Sequence, residues 1–322
     1  MGRRQSTVSP LVHNRRIVFI RVLGSAAGGG FPQWNCNCRN CRGVRDGSIK
    51  ATPRTQSSIA VSSDGDRWVL CNASPDLHRQ IAANPPLQPR TGVRDTPITD
   101  VLLVDGQIDH SLGLLLLREH RRRLGVWTTE AVRADLTSGL PLLSVLQHYC
   151  GIDWHPIGID GRPFQIPSLP GLELTALAVD GKAAPYSPNR QNPRIGDNIA
   201  LSFRDMNSDR RALYAPGLAT ISASVNEALL ASQCVLLDGT FWRDDEMIGA
   251  GVSSKRASEL GHLPQSGTGG MIETLAKLPA ATRRILIHIN NTNPILDEQS
   301  VERAALTDAG IEVAFDGLEI RL

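Results

Sequence analysis

Three cysteines lie within six residues of one another, in the segment Cys36-Asn-Cys38-Arg-Asn-Cys41. Thiolates this close together can bind one ion with tetrahedral geometry, and Zn²⁺ is the natural ion for such a site. Burial of three unrelated thiols is a weaker explanation, because polar residues separate them. Closed thiolate sites are usually structural, so we expect a structural zinc here and place no catalysis on it. The remaining three cysteines stand singly on apolar stretches, which is typical of small buried hydrophobic residues.

A second group of polar residues follows an apolar strand. Val101-Leu-Leu-Val leads into Asp105, Gln107, Asp109 and His110, at the start of an expected helix. Polar side chains at the carboxyl end of a buried strand are typical of active sites. An Asp at a helix start is also an ordinary N-cap, so this segment alone is a weak signal.

Two further apolar strands end in the same way, one in Asp238 and the other in His288. Each residue alone has an ordinary explanation as a cap or a core polar group, but three strand ends of one type favour a site. We therefore predict that Asp109, His110, Asp238 and His288 converge on one catalytic metal. His262, in Gly-His-Leu-Pro, is a further candidate metal ligand.

Two imidazoles with one or two carboxylates are the ligands of mononuclear non-haem iron and also of zinc. The spacing does not identify the metal, because Asp and His bind Fe²⁺, Zn²⁺ and Mn²⁺ alike. The fourth ligand of the cysteine zinc is also open, with Asn291 and His262 as candidates. Gln33, Trp34, Arg54 and Lys255 are candidates for lining a substrate pocket.

The elements that must position these residues fall into two similar halves. Strand patterns at 17–23, 57–62 and 67–72 precede alternating strands and helices, and a second hairpin at 198–203 and 211–215 precedes another such series. The glycine run at 24–30 fails the dinucleotide-binding pattern, because position 26 is Ala and Pro32 opposes helix entry. This order predicts an α/β protein of αββα type, with two mixed sheets packed face to face and helices outside.

Composition restricts the class of protein further. The 322 residues are 41% hydrophobic and 20% charged, with a formal net charge of +2. A net charge this small does not indicate the basic surface that nucleic-acid binding requires. No apolar run approaches the roughly 18 residues of a membrane helix. We expect a cytoplasmic protein with no nucleic-acid or membrane partner, and we leave a homodimer open. Residues 1–15 are predicted to be a disordered leader, and 16–322 a single domain.

The motifs GSAAGGGFPQWNCNCRNCRG, LCNASPDL, DGQIDHSLGLLLLREH, LLDGTFW, GHLPQSG and LIHINNTNPIL occur in this order. On these motifs the chain resembles the coenzyme PQQ synthesis protein B family of the metallo-β-lactamase-like superfamily, over about residues 17–322. The resemblance implies the αββα sandwich. It also implies PQQ (pyrroloquinoline quinone) biosynthesis, through iron- and oxygen-dependent hydroxylation of the tyrosine moiety of a Glu-Tyr-derived precursor, with Fe²⁺ and molecular oxygen as the catalytic partners.

This sequence departs from the superfamily motif H-x-H-x-D-H in an informative way. Asp105 and Gln107 replace the two histidines of the first metal, and residues 170–200 contain no histidine. The counterparts of the second-metal ligands remain. Hydrolysis by two metals needs both ions, so the loss of one site favours oxygen chemistry over hydrolysis. A metal-dependent hydrolase and a carrier that transports PQQ or its precursor are the alternatives.

Overall fold

The structure, a computed structural model, describes residues 17–322, and the predicted leader at 1–15 lies outside them. The strands are β1 Phe19–Gly24, β2 Ser58–Ser62, β3 Trp68–Cys71, β4 Ile98–Leu102, β5 Leu124–Thr128, β6 Ile152–Pro156, β7 Leu172–Ala178, β8 Ile199–Asp205, β9 Arg211–Ala215, β10 Cys234–Asp238, β11 Arg283–Ile287, β12 Ile311–Val313 and β13 Glu319–Arg321. The α-helices are α1 Arg39–Asp46, α2 Leu77–Ala83, α3 Ile108–Ser111, α4 Glu130–Ala134, α5 Leu142–Leu146, α6 Ala223–Ala231, α7 Glu246–Gly249, α8 Ala257–Leu260, α9 Met271–Ala276 and α10 Val301–Asp308. Shorter 3₁₀ turns occupy Pro85–Leu87, Leu112–Leu117 and Pro294–Leu296, and a π-helical turn follows α4 at Asp135–Gly139.

The strands form two mixed sheets, in the orders β13-β1-β2-β3-β4-β5-β6 and β12-β11-β10-β9-β8-β7. In each sheet an antiparallel meander comes first (β1 to β3, and β7 to β9), and parallel strands follow it. The last strand, β13, returns to the first sheet and pairs antiparallel with β1. The two-sheet α/β architecture predicted from the sequence is confirmed.

Alternation of side chains along the strands creates three apolar layers. One lies between the sheets and includes Val61, Leu201 and Phe203. The second packs α6, α9 and α10 on the outer face of the second sheet, and the third packs helices and Leu-rich turns on the first. Strands that carry apolar residues on both faces are buried on both sides, which explains runs such as Cys234-Val-Leu-Leu.

The leucine spacing of residues 111–120 predicts a helix, whereas the structure has the short helix α3, Ile108–Ser111, followed by the 3₁₀ segment Leu112–Leu117. Gly113 donates its N–H to the carbonyl of Ala73, and a Cβ on it would lie 2.2 Å from the carbonyl oxygen of Ser74. This close approach of two backbones requires glycine and tightens the turn, overriding the helical Leu pattern.

Among the helices of residues 17–322, none has the length and apolar character needed to span a membrane.

Candidate metal centres

The carboxyl ends of three parallel strands deliver the polar residues to one edge of the sandwich. The segment after β4 leads into α3, which carries Asp109 and His110. Asp238 is the last residue of β10, and it pairs in register with Ile287 of β11, directly before His288. Neighbouring parallel strands end at the same edge, so residues far apart in sequence become neighbours there.

Asp109, His110 and His288 form a group with metal-ligand geometry, in which one ligand atom of each lies within 4.8 Å of the others. Asp109 Oδ2 is 3.7 Å from His110 Nε2 and 3.5 Å from His288 Nε2. His110 Nε2 is buried without a hydrogen-bond partner. A buried ring nitrogen without a partner, facing a carboxylate and a second imidazole, fits a bound cation.

Asp105 fixes the orientation of His110. Its two carboxylate oxygens lie 2.9 and 2.8 Å from His110 Nδ1. We therefore assign the Nδ1 proton to this contact, so that Nε2 faces Asp109 and is the nitrogen that a metal would bind on displacing its proton. Burial lowers the pKa of His110, but the Asp105 and Asp109 carboxylates outweigh it and raise that pKa to about 9. Burial works against ionisation of Asp109, yet the neighbouring histidines hold its pKa well below its usual range.

Thr240 fixes the orientation of His288, as Asp105 does for His110. Its hydroxyl oxygen lies 2.8 Å from His288 Nδ1 and 2.6 Å from Asp238 Oδ1. Because an ionised Asp only accepts, the hydroxyl donates to Asp238 and accepts from His288, which leaves His288 Nε2 free to face Asp109. His288 has φ +61°, a strained conformation for a residue other than glycine that is common at functional sites.

Asp238, the fourth expected ligand, lies in a second group with His262 and His288. Its Oδ2 accepts from the N–H of Leu218 at 2.9 Å and contacts His262 Nδ1 at 2.7 Å, while its Oδ1 accepts twice from Thr240. The space between these three side chains holds the Thr240 hydroxyl, which is 3.1 Å from His262 Nδ1. This second group is a hydrogen-bonded cluster around Thr240.

The three cysteine sulfurs Cys36, Cys38 and Cys41 also form one group within 4.8 Å. Backbone N–H groups point at all three: Cys38 N is 3.4 Å from Cys36 Sγ, Cys41 N is 3.5 Å from Cys38 Sγ, and Gln33 N is 3.4 Å from Cys41 Sγ. The contact between Cys38 and Cys41 lowers the pKa of Cys41 to about 7 and raises that of Cys38, as is expected when two thiols share a proton. N–H donors aimed at sulfur stabilise thiolates, so this loop fits a zinc ion.

The two candidates for the fourth zinc ligand lie in different places. Asn291 Nδ2 is 3.3 Å from Cys41 Sγ and 3.7 Å from Cys38 Sγ, so this side chain faces the thiols. His262 contacts Asp238 and Thr240 instead. Asn291 therefore remains the prediction that the geometry supports, as a ligand or as a donor to the sulfurs.

A cavity of about 320 Å³ opens over the Asp109 group. Gln33, Trp34, Arg54 and Lys255 are not among its lining residues. The wall opposite the strand ends comes from the loop between β7 and β8, which contributes Lys182 and Arg190. No sequence pattern points to the function of these two residues, and Thr240 occurs in the sequence only as part of the LLDGTFW motif. The one feature of the sequence that could have drawn attention to Lys182 is the rarity of lysine, which occurs at just four positions in the chain.

The fold and the metal-ligand group together define a protein of the metallo-β-lactamase-fold class, and comparison with known proteins agrees with this class. Residues 67–289 match the Beta-lactamase superfamily domain. Three solved structures illustrate the fold. A diphosphatase from the PhnP family has a TM-score of 0.65 at 18% identity, and the match covers 95% of this chain and 97% of that one. YhfI from Bacillus subtilis, a metallo-beta-lactamase fold protein, has a TM-score of 0.61 at 13% identity, and the match covers 95% of this chain and 100% of that one. The Zn(2+)-bound PqqB from Methylobacterium extorquens has 0.85 at 38% identity, covering 94% of this chain and all of its own.

Curated sequences specify the family within that class. A coenzyme PQQ synthesis protein B from Cupriavidus necator is 58% identical over 303 residues, covering 94% of this chain and 99% of its own. Its counterpart from Methylococcus capsulatus is 55% identical over 305 residues, covering 95% and 100%. The chain belongs to the coenzyme PQQ synthesis protein B family.

Proposed function

We propose that this protein acts in PQQ biosynthesis as an iron- and oxygen-dependent hydroxylase of the tyrosine moiety of a Glu-Tyr-derived precursor. Family membership supports the pathway. The observation that carries the chemistry is the group of Asp109, His110 and His288, with the unpartnered Nε2 of His110. Two imidazoles and one carboxylate with open positions are the ligand set of non-haem Fe(II) oxygenases.

Iron bound by these three residues would supply the oxygen chemistry. Hydroxylation inserts one atom of O₂ into a ring C–H bond, and the other atom leaves as water. That balance requires two electrons and two protons from an added reductant.

The chain's own residues prepare the site for this reaction. Asp105 and Thr240 hold the two imidazoles so that both present Nε2. Ala27 and Gly28 close the cavity on the β1 side, and Phe241 does so beside His262. The cavity volume of about 320 Å³ is at the small end of ligand pockets, which suits a small molecule.

Two features of the site disfavour hydrolysis by a metal pair. Asp105 is engaged with His110, and the Gln107 amide lies 3.5 Å from the Lys182 carbonyl oxygen. Neither supplies the imidazole that a first metal would need.

The test is oxygen uptake by protein purified without air and loaded with Fe²⁺, using a tyrosine-containing precursor and a reductant. We expect iron-dependent uptake that stops without oxygen and is lost in Asp109→Ala. Excess Zn²⁺ should inhibit by displacing Fe²⁺ and should create no phosphodiesterase or β-lactamase activity.

Arg42→Gln, at an exposed position of α1, is the control and should behave as the wild type. Robust hydrolysis by anaerobic, zinc-loaded protein without iron-dependent oxygen uptake would overturn the proposal in favour of a hydrolase. Tight binding of the quinone with neither activity would overturn it in favour of a carrier.

A further inference from the structure

The loop between β7 and β8, residues 179–198, forms one wall of the cavity above the Asp109 group. It places two cationic side chains there, Lys182 and Arg190. Lys182 Nζ donates to the carbonyl oxygen of Glu259, and Arg190 donates to that of Ala183. In the described part of the chain, neither cation forms an ion pair with a carboxylate.

The carboxylates that line the same cavity already have partners. Asp105 and Asp109 face the imidazoles of His110 and His288. Asp180 accepts a hydrogen bond from the Thr220 hydroxyl at 2.6 Å. The two cations thus carry positive charge that no carboxylate of residues 17–322 pairs with, beside a cavity large enough for a small molecule.

Hydrogen bonds hold this loop against the segment that carries the metal-ligand candidates. The Tyr186 hydroxyl donates to the carbonyl oxygen of Gly106. The carbonyl of Lys182 itself lies 3.5 Å from the Gln107 amide and 3.4 Å from the Asn198 amide. The backbone at Lys182 is therefore fixed relative to Asp109, two residues beyond Gln107. A cation on a positioned backbone orients an anionic ligand at low entropic cost.

We propose that Lys182 and Arg190 bind carboxylate groups of the substrate, so that the cavity selects a small dicarboxylate and directs its aromatic ring to the Asp109 group. Lys182 supplies a compact charge at the cavity mouth, and Arg190 supplies a planar fork suited to a carboxylate. The assignment of the ring rests on the proposed function, whereas the assignment of the charged groups rests on the two cations alone.

The test measures binding without turnover, using zinc-loaded protein and calorimetric titration. The probes are the dipeptide Glu-Tyr, which has two carboxylates, and Gln-Tyr amide, which has none. Lys182→Gln and Arg190→Gln should each raise the Kd for Glu-Tyr by about tenfold, the factor that corresponds to about 1.4 kcal/mol. Gln-Tyr amide should bind the wild type at least tenfold more weakly than Glu-Tyr and should not distinguish the variants. Lys182→Arg should keep most of the affinity.

Lys255→Gln, at an exposed lysine outside the cavity, is the matched control and should leave the Kd unchanged. Zinc content and thermal unfolding should be equal in all variants, which shows that the fold is intact. Equal Kd values for Glu-Tyr in the wild type and both Gln variants would overturn the proposal, as would an absence of Glu-Tyr binding to the wild type.

The result is separable from the hydroxylation test. Charge-dependent binding without oxygen uptake would retain this inference and reject the proposed reaction. Oxygen uptake with unaltered Kd in the variants would do the reverse.

Discussion

At the scale of single residues, the site depends on which ring nitrogen of each histidine forms a hydrogen bond with another side chain of the protein. Asp105 takes Nδ1 of His110, and Thr240 takes Nδ1 of His288. Both imidazoles therefore present Nε2 toward Asp109. The replacement of a motif histidine by Asp105 removes a metal ligand and, at the same position, provides the partner that orients His110.

Thr240→Val should weaken metal binding at the Asp109 group by about 10- to 100-fold, the usual cost of losing a partner that orients a ligand. The nearly isosteric side chain leaves His288 Nδ1 without its acceptor and removes the hydroxyl hydrogen bond to Asp238 Oδ1. Competitive metal titration against a chelator measures the effect. Thr307→Val, whose hydroxyl only donates to the Arg303 carbonyl in α10, is the control. An unchanged metal affinity in Thr240→Val would contradict the role assigned to this hydroxyl.

Gly28→Ala tests how closely the loop after β1 approaches the site. A Cβ at Gly28 would lie 3.1 Å from Asp109 Oδ2, tighter than an ordinary contact. The carboxylate must then shift by a few tenths of an ångström, so we expect weaker metal retention with near wild-type thermal stability. Gly47→Ala is the comparison for metal content only, since its Cβ would meet nothing within 4 Å although its φ is +75°. Full metal retention in Gly28→Ala would show that Asp109 does not need this space.

At the scale of elements, the segment after β11 connects the two metal-ligand groups. It begins with His288, continues to Asn291 beside the cysteine sulfurs, and ends at Asp297, which pairs with Arg39 of α1 at 2.9 Å. Asn40 of α1 donates to the carbonyl oxygens of Asn291 and Asn293. The cysteine loop therefore supports the backbone that carries His288.

Cys38→Ser should lower the zinc content by about one ion, destabilise the fold, and also weaken metal binding at the Asp109 group, because the Asn291 side chain and carbonyl lose their contacts with the Cys38 sulfur. Metal analysis together with chelator competition measures both effects. Cys234→Ser is the control, since this buried thiol lies in the inter-sheet core and its loss should cost stability without loss of zinc. Unchanged zinc content in Cys38→Ser would refute the structural zinc, and unchanged affinity at Asp109 would refute the connection.

At the scale of elements, Glu246 in the first turn of α7 makes the stability of the fold depend on pH. Its carboxylate accepts from Trp242 N and from the Thr292 hydroxyl, both at 2.5 Å. Burial raises its pKa from 4.5 to about 7. The folded state therefore keeps the proton over a range in which the unfolded state has lost it, so stability is present below about pH 4.5 and is lost as the pH rises through about 7.

Glu246→Gln should remove this dependence. The free energy of unfolding of the wild type should fall, relative to the variant, by up to about 3 kcal/mol between pH 4.5 and 7.5. Urea unfolding at a series of pH values measures the difference. Glu273→Gln, at an exposed carboxyl in α9, should follow the wild type, and a pH-independent difference between wild type and Glu246→Gln would contradict the raised pKa.

Most elements could be predicted from the sequence because their periodicity is strong, as in the hairpins of β2 with β3 and β8 with β9. The sequence does not predict β5, because the three arginines at 121–123 precede it and such a run is typical of a solvated helix end. The sequence does not predict β6 either, because its residues, Ile-Asp-Trp-His-Pro, are exposed or half-exposed after the first and carry little apolar signal at this sheet edge. At the site, Asp109, His110 and His288 could be found because each follows an apolar strand. The roles of Lys182 and Thr240 could not, since a loop wall and a hydroxyl contact leave no pattern in one sequence.

At the scale of the whole molecule, β13 closes the first sheet by pairing with β1. Ile320 is 2% exposed and packs between the sheets, whereas Arg321 points outward. Ile320→Ala should lower the free energy of unfolding by about 2–5 kcal/mol through lost burial and the remaining cavity. Arg321→Ala should change it by less than about 0.5 kcal/mol. Chemical unfolding measures both, and equal effects would show that β13 does not anchor the core.

The return of β13 to β1 also has a consequence during synthesis on the ribosome. β1 is translated long before its outer-edge partner β13, so the nascent chain presents an unpaired strand edge until β13 emerges. Asp109 and His110 emerge long before His288, and the metal group gains its third member only when the second sheet is translated. The three side chains can therefore come together only after His288 has left the exit tunnel, so an ion at this group would not find all three ligands before then.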